Sequence, residues 1–394
     1  MKPLENIKIL DLSRVLAGPF CTMILNDLGA EIIKVEVPET GDDSRGYGPF
    51  INGKSAYFIS VNRGKKSISL NLKSEKGKKI LLELVKKTDV LVENFRPGTM
   101  EKLGLGYDFL KEVNPKLIYA ATSGYGHTGP DSKKPGYDIL VQAAGVMGIT
   151  GWPNMPPTRV GLSVGDLTGG LYLTIGTLTA LYHRALTGEG QKIDISLLDC
   201  QVALLENAIM RYQAENKNPE PIGNRHPTIT PFQAYKASDK YFVVGVGSES
   251  LWKTFCTAIQ KEELTNHDLF ATNKKRTENI VALNQILDTV FITKTADEWL
   301  RIIENAKVPC APINTIDKLF EDKQIKARNM IVDIEDAKAG KLKVAGNPIK
   351  MSTIPESSDR NPAPEIGQDN DAVYSKLLGF DKATIEQLKK EGVI

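Results

Sequence analysis

The apolar positions of this chain fall into short unbroken runs separated by longer amphipathic stretches. Ile7 to Leu12 and Glu31 to Val35 read as strands, and Ala17-Gly18-Pro19 opens a helix between them that runs to about Leu28. A strand–helix–strand unit of that length suits a right-handed parallel crossover. The alternation continues with a strand at Ser67 to Leu72, a helix at Glu75 to Lys87 and a strand at Asp89 to Glu93. A helix at Tyr107 to Val113 and a strand at Leu117 to Ala121 follow. Such a pattern predicts an α/β fold with a doubly wound, Rossmann-like parallel sheet. Two long helical stretches come next, about Leu167–Arg184 and Ile195–Gln213.

The pattern changes near residue 215. Glu215 to Pro231 is rich in Asn, Pro and Gly and reads as a linker. Pro231 to Gly247 alternates, with a turn at Ser238-Asp239-Lys240, and reads as a hairpin. Helical segments run on to about Ala306, and Val308 to Asn314 reads as a strand. Strand-like pieces return at Met330 to Ile334 and Lys341 to Val344. A proline-rich stretch, Pro355 to Glu365, precedes a last helix at about Lys382 to Glu391.

Charge narrows the partners. Lys and Arg total 50 against 48 Asp and Glu, a balance that gives no reason to expect nucleic acid or an anionic membrane. No run reaches the roughly 18 apolar residues of a membrane span, and the first residues lack the apolar core of a signal peptide. Cys21, Cys200, Cys256 and Cys310 form no pairing motif, which suggests free thiols and a cytoplasmic setting. His127, His183, His226 and His267 never fall at ligand spacing, so no metal is expected.

Two phosphate-loop patterns occur out of context. Gly124-Tyr125-Gly126-His127-Thr128-Gly129 follows a strand, but Pro130 and Lys133-Lys134-Pro135 come next instead of a helix. Gly48-Pro49-Phe50-Ile51-Asn52-Gly53-Lys54-Ser55 has no strand feeding it. Both patterns need a helix N-terminus to hold phosphate. A basic series, Arg63, Lys65, Lys66, Lys73, Arg96 and Lys102, surrounds predicted strand ends, where sheets of this class bind ligands. It reads equally as phosphate-gripping or as ordinary surface. Asp166 stands between glycines in Gly165-Asp166-Leu167-Thr168-Gly169-Gly170, at the start of a long helix. Such a carboxylate is either a helix cap or a nucleophile.

The ordered set of these segments resembles one family. It comprises Ile9-Leu10-Asp11-Leu12 with Ala17-Gly18-Pro19, Lys34-Val35-Glu36, Asn62-Arg63-Gly64-Lys65-Lys66-Ser67, Glu93-Asn94-Phe95-Arg96-Pro97-Gly98 and Ser123-Gly124-Tyr125-Gly126. Gly136-Tyr137-Asp138, Gly165-Asp166, Gly188-Glu189-Gly190-Gln191, Gly223-Asn224-Arg225-His226-Pro227 and Val308-Pro309 complete it. The chain looks like a class III coenzyme A transferase, the family of formyl-CoA, carnitine-CoA and dicarboxylate-CoA transferases.

The resemblance implies that Asp166 is the nucleophile, and that Val15, Leu16 and Ala17 lie along the CoA. Leu70, Lys73, Asn94, Phe95, Arg96 and Lys102 would lie near its nucleotide end, and Tyr137 near the thioester. Gly165, Gly169 and the Gly245-Val246-Gly247 loop are candidate oxyanion donors. No tightly bound cofactor is implied; the acyl-CoA thioester and a free carboxylic acid are the substrates. The family fold is an interlocked ring-like homodimer. Its division here would be a large CoA-binding domain over 1–200, a linker over 201–227, a small α+β domain over 228–314, a return linker over 315–330, and 331–394 back in the large domain. Val37 replaces an arginine of formyl-CoA transferases, and their long glycine-rich loop is missing, so formyl-CoA with oxalate is not the expected pair. Arg159, Arg225 and His226 are candidates to meet a second carboxylate of a succinate-like acid. The alternative on the same fold is an α-methylacyl-CoA racemase, which needs a histidine where this chain has Tyr137; tyrosine, with a reference pKa of about 10, is a poor proton shuttle.

Overall fold

The computed structural model describes residues 2–356 and 359–394. Contacts divide the chain into two compact units. One comprises Met1–Met147, Arg159–Lys217 and Lys323–Ile394; the other comprises Gly148–Thr158 and Asn218–Asp322.

The first unit is built on six parallel strands: β1 Lys8–Asp11, β2 Glu31–Glu36, β3 Lys66–Ser69, β4 Val90–Glu93, β5 Ile118–Ser123 and β6 Gln191–Ser196. Their order across the sheet is β3-β2-β1-β4-β5-β6, that of the doubly wound dinucleotide folds. Strands covered on both faces read as continuous apolar runs, because successive side chains point to opposite sides. Ile9, Ile32, Val90, Ile118 and Ala120 pack on one face, with Cys21 and Leu25 of α1 (Ala17–Asp27). Leu10, Ile33, Leu91 and Tyr119 pack on the other. There they meet Ile80, Leu81 and Leu84 of α2 (Glu75–Val85), Leu110 of α3 (Tyr107–Val113), and Ile385 and Leu388 of the C-terminal helix Lys382–Lys390.

Strand β6 replaces the start of the expected 195–213 helix. Its sequence Gln191-Lys192-Ile193-Asp194-Ile195-Ser196 alternates polar and apolar residues and forms a sheet edge, where charged side chains are tolerated. Helices α6 (Leu197–Leu204) and α7 (Glu206–Glu215) follow, once α4 (Asp138–Ala143) and α5 (Val164–Thr187) have been laid down. Of the 201–227 stretch, residues up to Glu215 are therefore largely helical.

In the second unit an antiparallel sheet of Phe232–Lys236, Tyr241–Gly245 and Cys310–Pro312 shares a core with Trp252, Phe255, Phe291 and Trp299. Its short segment Gly148–Thr158 carries no sequence signal that sets it apart from the residues on either side.

A buried ion network lies under the loop that leaves β1. Asp11 and Lys65 are fully buried and pair at 3.0 Å. Asp11 also accepts the Ser13 N–H (3.0 Å) and the Thr22 hydroxyl (2.6 Å). Lys34 donates to the Ser13 carbonyl at 2.9 Å and pairs with Asp42 at 2.7 Å. Burial opposes the charge of Asp42, yet Lys34 and the Ser44 hydrogen bonds hold its pKa down to about 2. Burial likewise opposes Asp11, and Lys65 and Lys34 outweigh it.

Removing one partner leaves a buried charge alone, so Asp11→Ala is expected to cost about 3–5 kcal/mol, read from the urea midpoint at pH 7. Because the folded-state Asp11 pKa is depressed, this stabilisation is complete above the unfolded value of 3.8 and is lost as pH falls through the lower folded-state value. The gap between wild type and Asp11→Ala should therefore narrow as pH falls below 3.8.

Candidate active site

The strand order reverses between β1 and β4, and ligands of open α/β sheets bind in the crevice at such a reversal. Two loops meet there, and Asn94 stitches them together. Its Oδ1 accepts the Arg14 N–H at 2.8 Å and its Nδ2 donates to the Arg14 carbonyl at 2.7 Å. The next residue, Val15, has φ +66° and donates its N–H to Asp42 at 3.1 Å. A β-branched residue pays for that left-handed conformation, and the buried network beneath holds it there. Gly18 is required by contact: a Cβ on it would lie 2.2 Å from Ser13 Cβ.

A cavity of about 220 Å³ opens at the reversal, and Val15, Leu16, Ala17, Asn94, Phe95, Arg96, Tyr137 and Asp166 all line it. Arg14, Asp43, Tyr47, Thr122, Ser123 and Lys134 line it too and were not singled out from the sequence. Arg14 had one signal, its place beside Val15; Tyr47 sits in an irregular segment with no periodicity to mark it. The Gly124-Tyr125-Gly126 pattern is a loop wall and opens no helix. Gly124 and Gly136 touch backbone to backbone, since a Cβ on Gly124 would lie 2.4 Å from Gly136 Cα.

Asp166 is the third residue of α5, in its first turn, and the N-cap is Ser163. The helix-cap reading of Asp166 therefore does not hold. Its carboxylate makes no hydrogen bond or ion pair among the described residues, although it lines the cavity. The other acids nearby are all engaged. Asp138 accepts the Gly165 N–H (2.8 Å) and Gln142 Nε2 (2.8 Å), and Arg159 lies 3.6 Å from it. Burial pushes the Asp166 carboxyl up to about 7, and the Asp138 charge adds to the shift. Asp166 in turn helps burial raise the Tyr57 hydroxyl to about 12.

An unpartnered acid, half-buried at a topological switch point, marks a candidate functional site. The sequence matches CoA-transferase family III over residues 4–370. The chain belongs to this family. It is 44% identical over 377 residues to the acetyl-CoA:oxalate CoA-transferase of Acetobacter aceti, covering 95% of this chain and 96% of that protein. It is 40% identical over 396 residues to the succinyl-CoA:glutarate CoA-transferase of Homo sapiens, covering 100% of this chain and 90% of that protein. Among solved structures, a CaiB/BaiF family protein from Brucella suis matches with TM-score 0.85 and 38% identity, over 95% of this chain and 99% of that one.

Several expectations for this CoA-transferase change on inspection. Leu70 does not reach the cavity: its side chain is 1% exposed and packs in the core. Lys73 and Lys102 are exposed and lie outside the cavity walls. Arg63 is spent on Asp27 (2.8 Å) and Lys65 on Asp11, so neither is free for phosphate. Lys54 of the second phosphate-loop pattern is buried against Asp336 (2.6 Å) and the Ala363 carbonyl (2.7 Å). The glycine amides are taken as well. Gly165 donates to Asp138, Gly245 donates to the Pro309 carbonyl at 2.9 Å, and Gly169 lies inside the α5 ladder. Gly245, Gly247, Arg225 and His226 belong to the second unit.

In carbon-13 NMR of labelled aspartates, one carboxyl should titrate near pH 7 and vanish in Asp166→Asn. Asp138→Asn keeps an acceptor for Gly165 but removes the like charge, so the midpoint should move down. An unmoved midpoint would assign the shift to burial alone.

Proposed function

We propose that this family III CoA-transferase works through Asp166, and the observation that carries the reading is its unpartnered carboxylate in the cavity. The Asp166 carboxylate attacks the thioester carbonyl and expels the CoA thiolate, leaving a mixed anhydride. The thiolate attacks the aspartyl carbonyl, releasing the donor acid and forming an aspartyl-CoA thioester. The acceptor carboxylate attacks that carbonyl and expels the thiolate again. The thiolate then takes the acceptor's acyl group and frees Asp166. Covalent catalysis divides one hard exchange into these steps and needs no ATP, because a thioester is consumed as another forms. With the Gly165, Gly169 and Gly245 amides engaged elsewhere, the positive end of α5 is one local source of help for the developing oxyanion.

The acids exchanged are dicarboxylates in this reading. The relatives' names specify oxalate and glutarate, and Arg159, 3.6 Å from Asp138, is the cation we assign to a second carboxylate. Among the described residues Arg96, on the cavity wall, makes no ion pair, and neither do the exposed Lys73 and Lys102 beyond it, which suits CoA phosphates. Leu171, Ile175, Tyr182 and Leu186 are exposed along one stripe of α5. An apolar stripe of that size supports a homodimer, interlocked as in the family. No described helix is long and apolar enough to cross a membrane; the four free thiols suit a cytoplasmic setting. The racemase reading loses its second base, because no histidine lines the cavity.

Asp166→Ala should abolish turnover. Quenching wild type with succinyl-CoA should leave a mass adduct on the peptide holding Asp166, and hydroxylamine should trap the same residue. Full turnover by Asp166→Ala would exclude the mechanism. A panel of succinyl-, acetyl- and formyl-CoA against glutarate, oxalate, mesaconate and butyrate tests the substrate class; equal rates with butyrate would overturn it. In wild type kcat should rise as pH passes upward through about 7, since only the ionised carboxylate attacks.

Arg96→Ala should raise KM for every acyl-CoA by a similar factor. Losing a charge-assisted hydrogen bond costs about 1.5–3 kcal/mol, roughly 10- to 150-fold. Lys102→Ala should have a smaller and more salt-sensitive effect, because Lys102 lies outside the cavity wall that Arg96 lines. An unchanged KM in both would return these residues to the solvated surface.

A further inference from the structure

Behind the cavity lies a second group of titratable side chains that the proposed chemistry does not use. Glu93 ends β4 and is 1% exposed. Its Oε2 accepts the Phe95 N–H at 2.7 Å, and its Oε1 accepts the Tyr119 hydroxyl at 3.1 Å. His127 sits on the loop that also carries Gly124, Lys134 and Tyr137, and its Nε2 lies 3.8 Å from Glu93 Oε1. Lys192 of β6 is 3.0 Å from His127 Nδ1. An ammonium has only donors, so Nδ1 is the acceptor and a neutral His127 carries its proton on Nε2, aimed at Glu93. That Nε2 is buried and has no hydrogen-bond partner. Asp194 accepts the His127 backbone N–H at 2.9 Å, and Glu101 adds its charge from the other side.

We infer that Glu93 and His127 form a buried latch between the two loops that wall the cavity, and that closing it tightens the grip on CoA. Glu93 fixes Phe95, whose ring lies 5.3 Å under the Arg14 guanidinium, and Asn94 and Arg96 flank Phe95 on the same loop. His127 belongs to the opposite wall. At 3.8 Å the two are not hydrogen-bonded. A closure of about 1 Å makes that bond, satisfies the orphaned Nε2 and draws the walls together. Glu93 and His127 are positioning residues, because neither lines the cavity.

The latch is sensitive to protons. Burial raises the Glu93 carboxyl to about 7, with Glu101 adding to the shift and the Phe95 N–H, the Tyr119 hydroxyl and Lys192 opposing it. Burial and Lys192 lower the His127 pKa against the opposing charges of Asp194 and Glu101, which favours the neutral ring. Ionised Glu93 accepts the stronger, charge-assisted bonds, so affinity should rise with pH. If closure lowers the Glu93 pKa by about 0.5 to 1, affinity changes about three- to tenfold.

The inference rests on the cavity being the CoA site, and the experiment separates the two. Titrate dephospho-CoA, whose pyrophosphate stays fully ionised between pH 6 and pH 8, into the Asp166→Asn enzyme. That background removes the other carboxyl that titrates near neutrality. Kd should fall about three- to tenfold across this range, and adding Glu93→Gln should flatten the curve. His127→Phe removes the facing donor, so the midpoint should move up; this variant serves if Glu93→Gln does not fold. A pH dependence identical in both variants and the parent overturns the latch. A flat parent curve with tight binding overturns it as well and leaves the CoA site standing. Absence of binding at every pH overturns both.

Discussion

Two opposite charges held away from water, Asp11 and Lys65, set the floor on which the active site is built. A buried ion is tolerated only when paired and hydrogen-bonded, and here each partner has several bonds to satisfy. Lys65 also donates to the Pro19 carbonyl (3.1 Å) and to Asn62 Oδ1 (2.9 Å). Asp11 holds Ser13 and Thr22, while Lys34 ties Ser13 to Asp42. The end of β1, the first turns of α1 and the turn at Asp42 are thereby one unit. None of these groups can move without exposing a charge to an apolar interior. The loop bearing Val15 to Ala17 is rigid for that reason, and its left-handed Val15 is the visible cost.

Against this floor, Asp166 differs in kind. The unit contains many buried acids, and most have been neutralised by a cation or a set of donors. Asp166 has been left with burial, a like-charged neighbour and the end of a helix dipole. The first two raise its energy as an anion and the third lowers it. A carboxylate in that balance is a better nucleophile than a fully bonded one, because it has little to give up on attack. The contacts of Asp138 with Gly165, Gln142 and Arg159 fix the neighbour in place.

The sheet was legible because its interior strands are short, apolar and separated by helices of ordinary length. Strand β6 was not, since an edge strand with Lys192 and Asp194 carries a weaker apolar pattern than the interior strands. Asp166 and the two loops at the switch point were legible from the ordered motifs, and the cavity gathers them. The misreadings share one cause. Sequence shows that Arg63 and Lys65 are basic, but not that Asp27 and Asp11, dozens of residues away, consume them. The same holds for glycine amides already bonded. Leu70 is adjacent to a strand end, yet its side chain turns into the core. Free and engaged groups of one chemical type look alike until the fold places their partners.

The contact of Gly124 with Gly136 has a consequence for how such a site diversifies. The eleven-residue excursion between them closes on itself at its base, with no room for a side chain at either root. Its ends are therefore pinned independently of what it carries in between. Closure entropy grows only slowly with loop length, so residues can be exchanged, inserted or deleted along the excursion at little cost to the sheet below. Lys134 and Pro135 reach the cavity from this loop, whereas Asp166 stands on a helix. This part of the cavity wall and the Asp166 carboxyl thus rest on separate supports, and a lineage can alter the first while leaving the second in place.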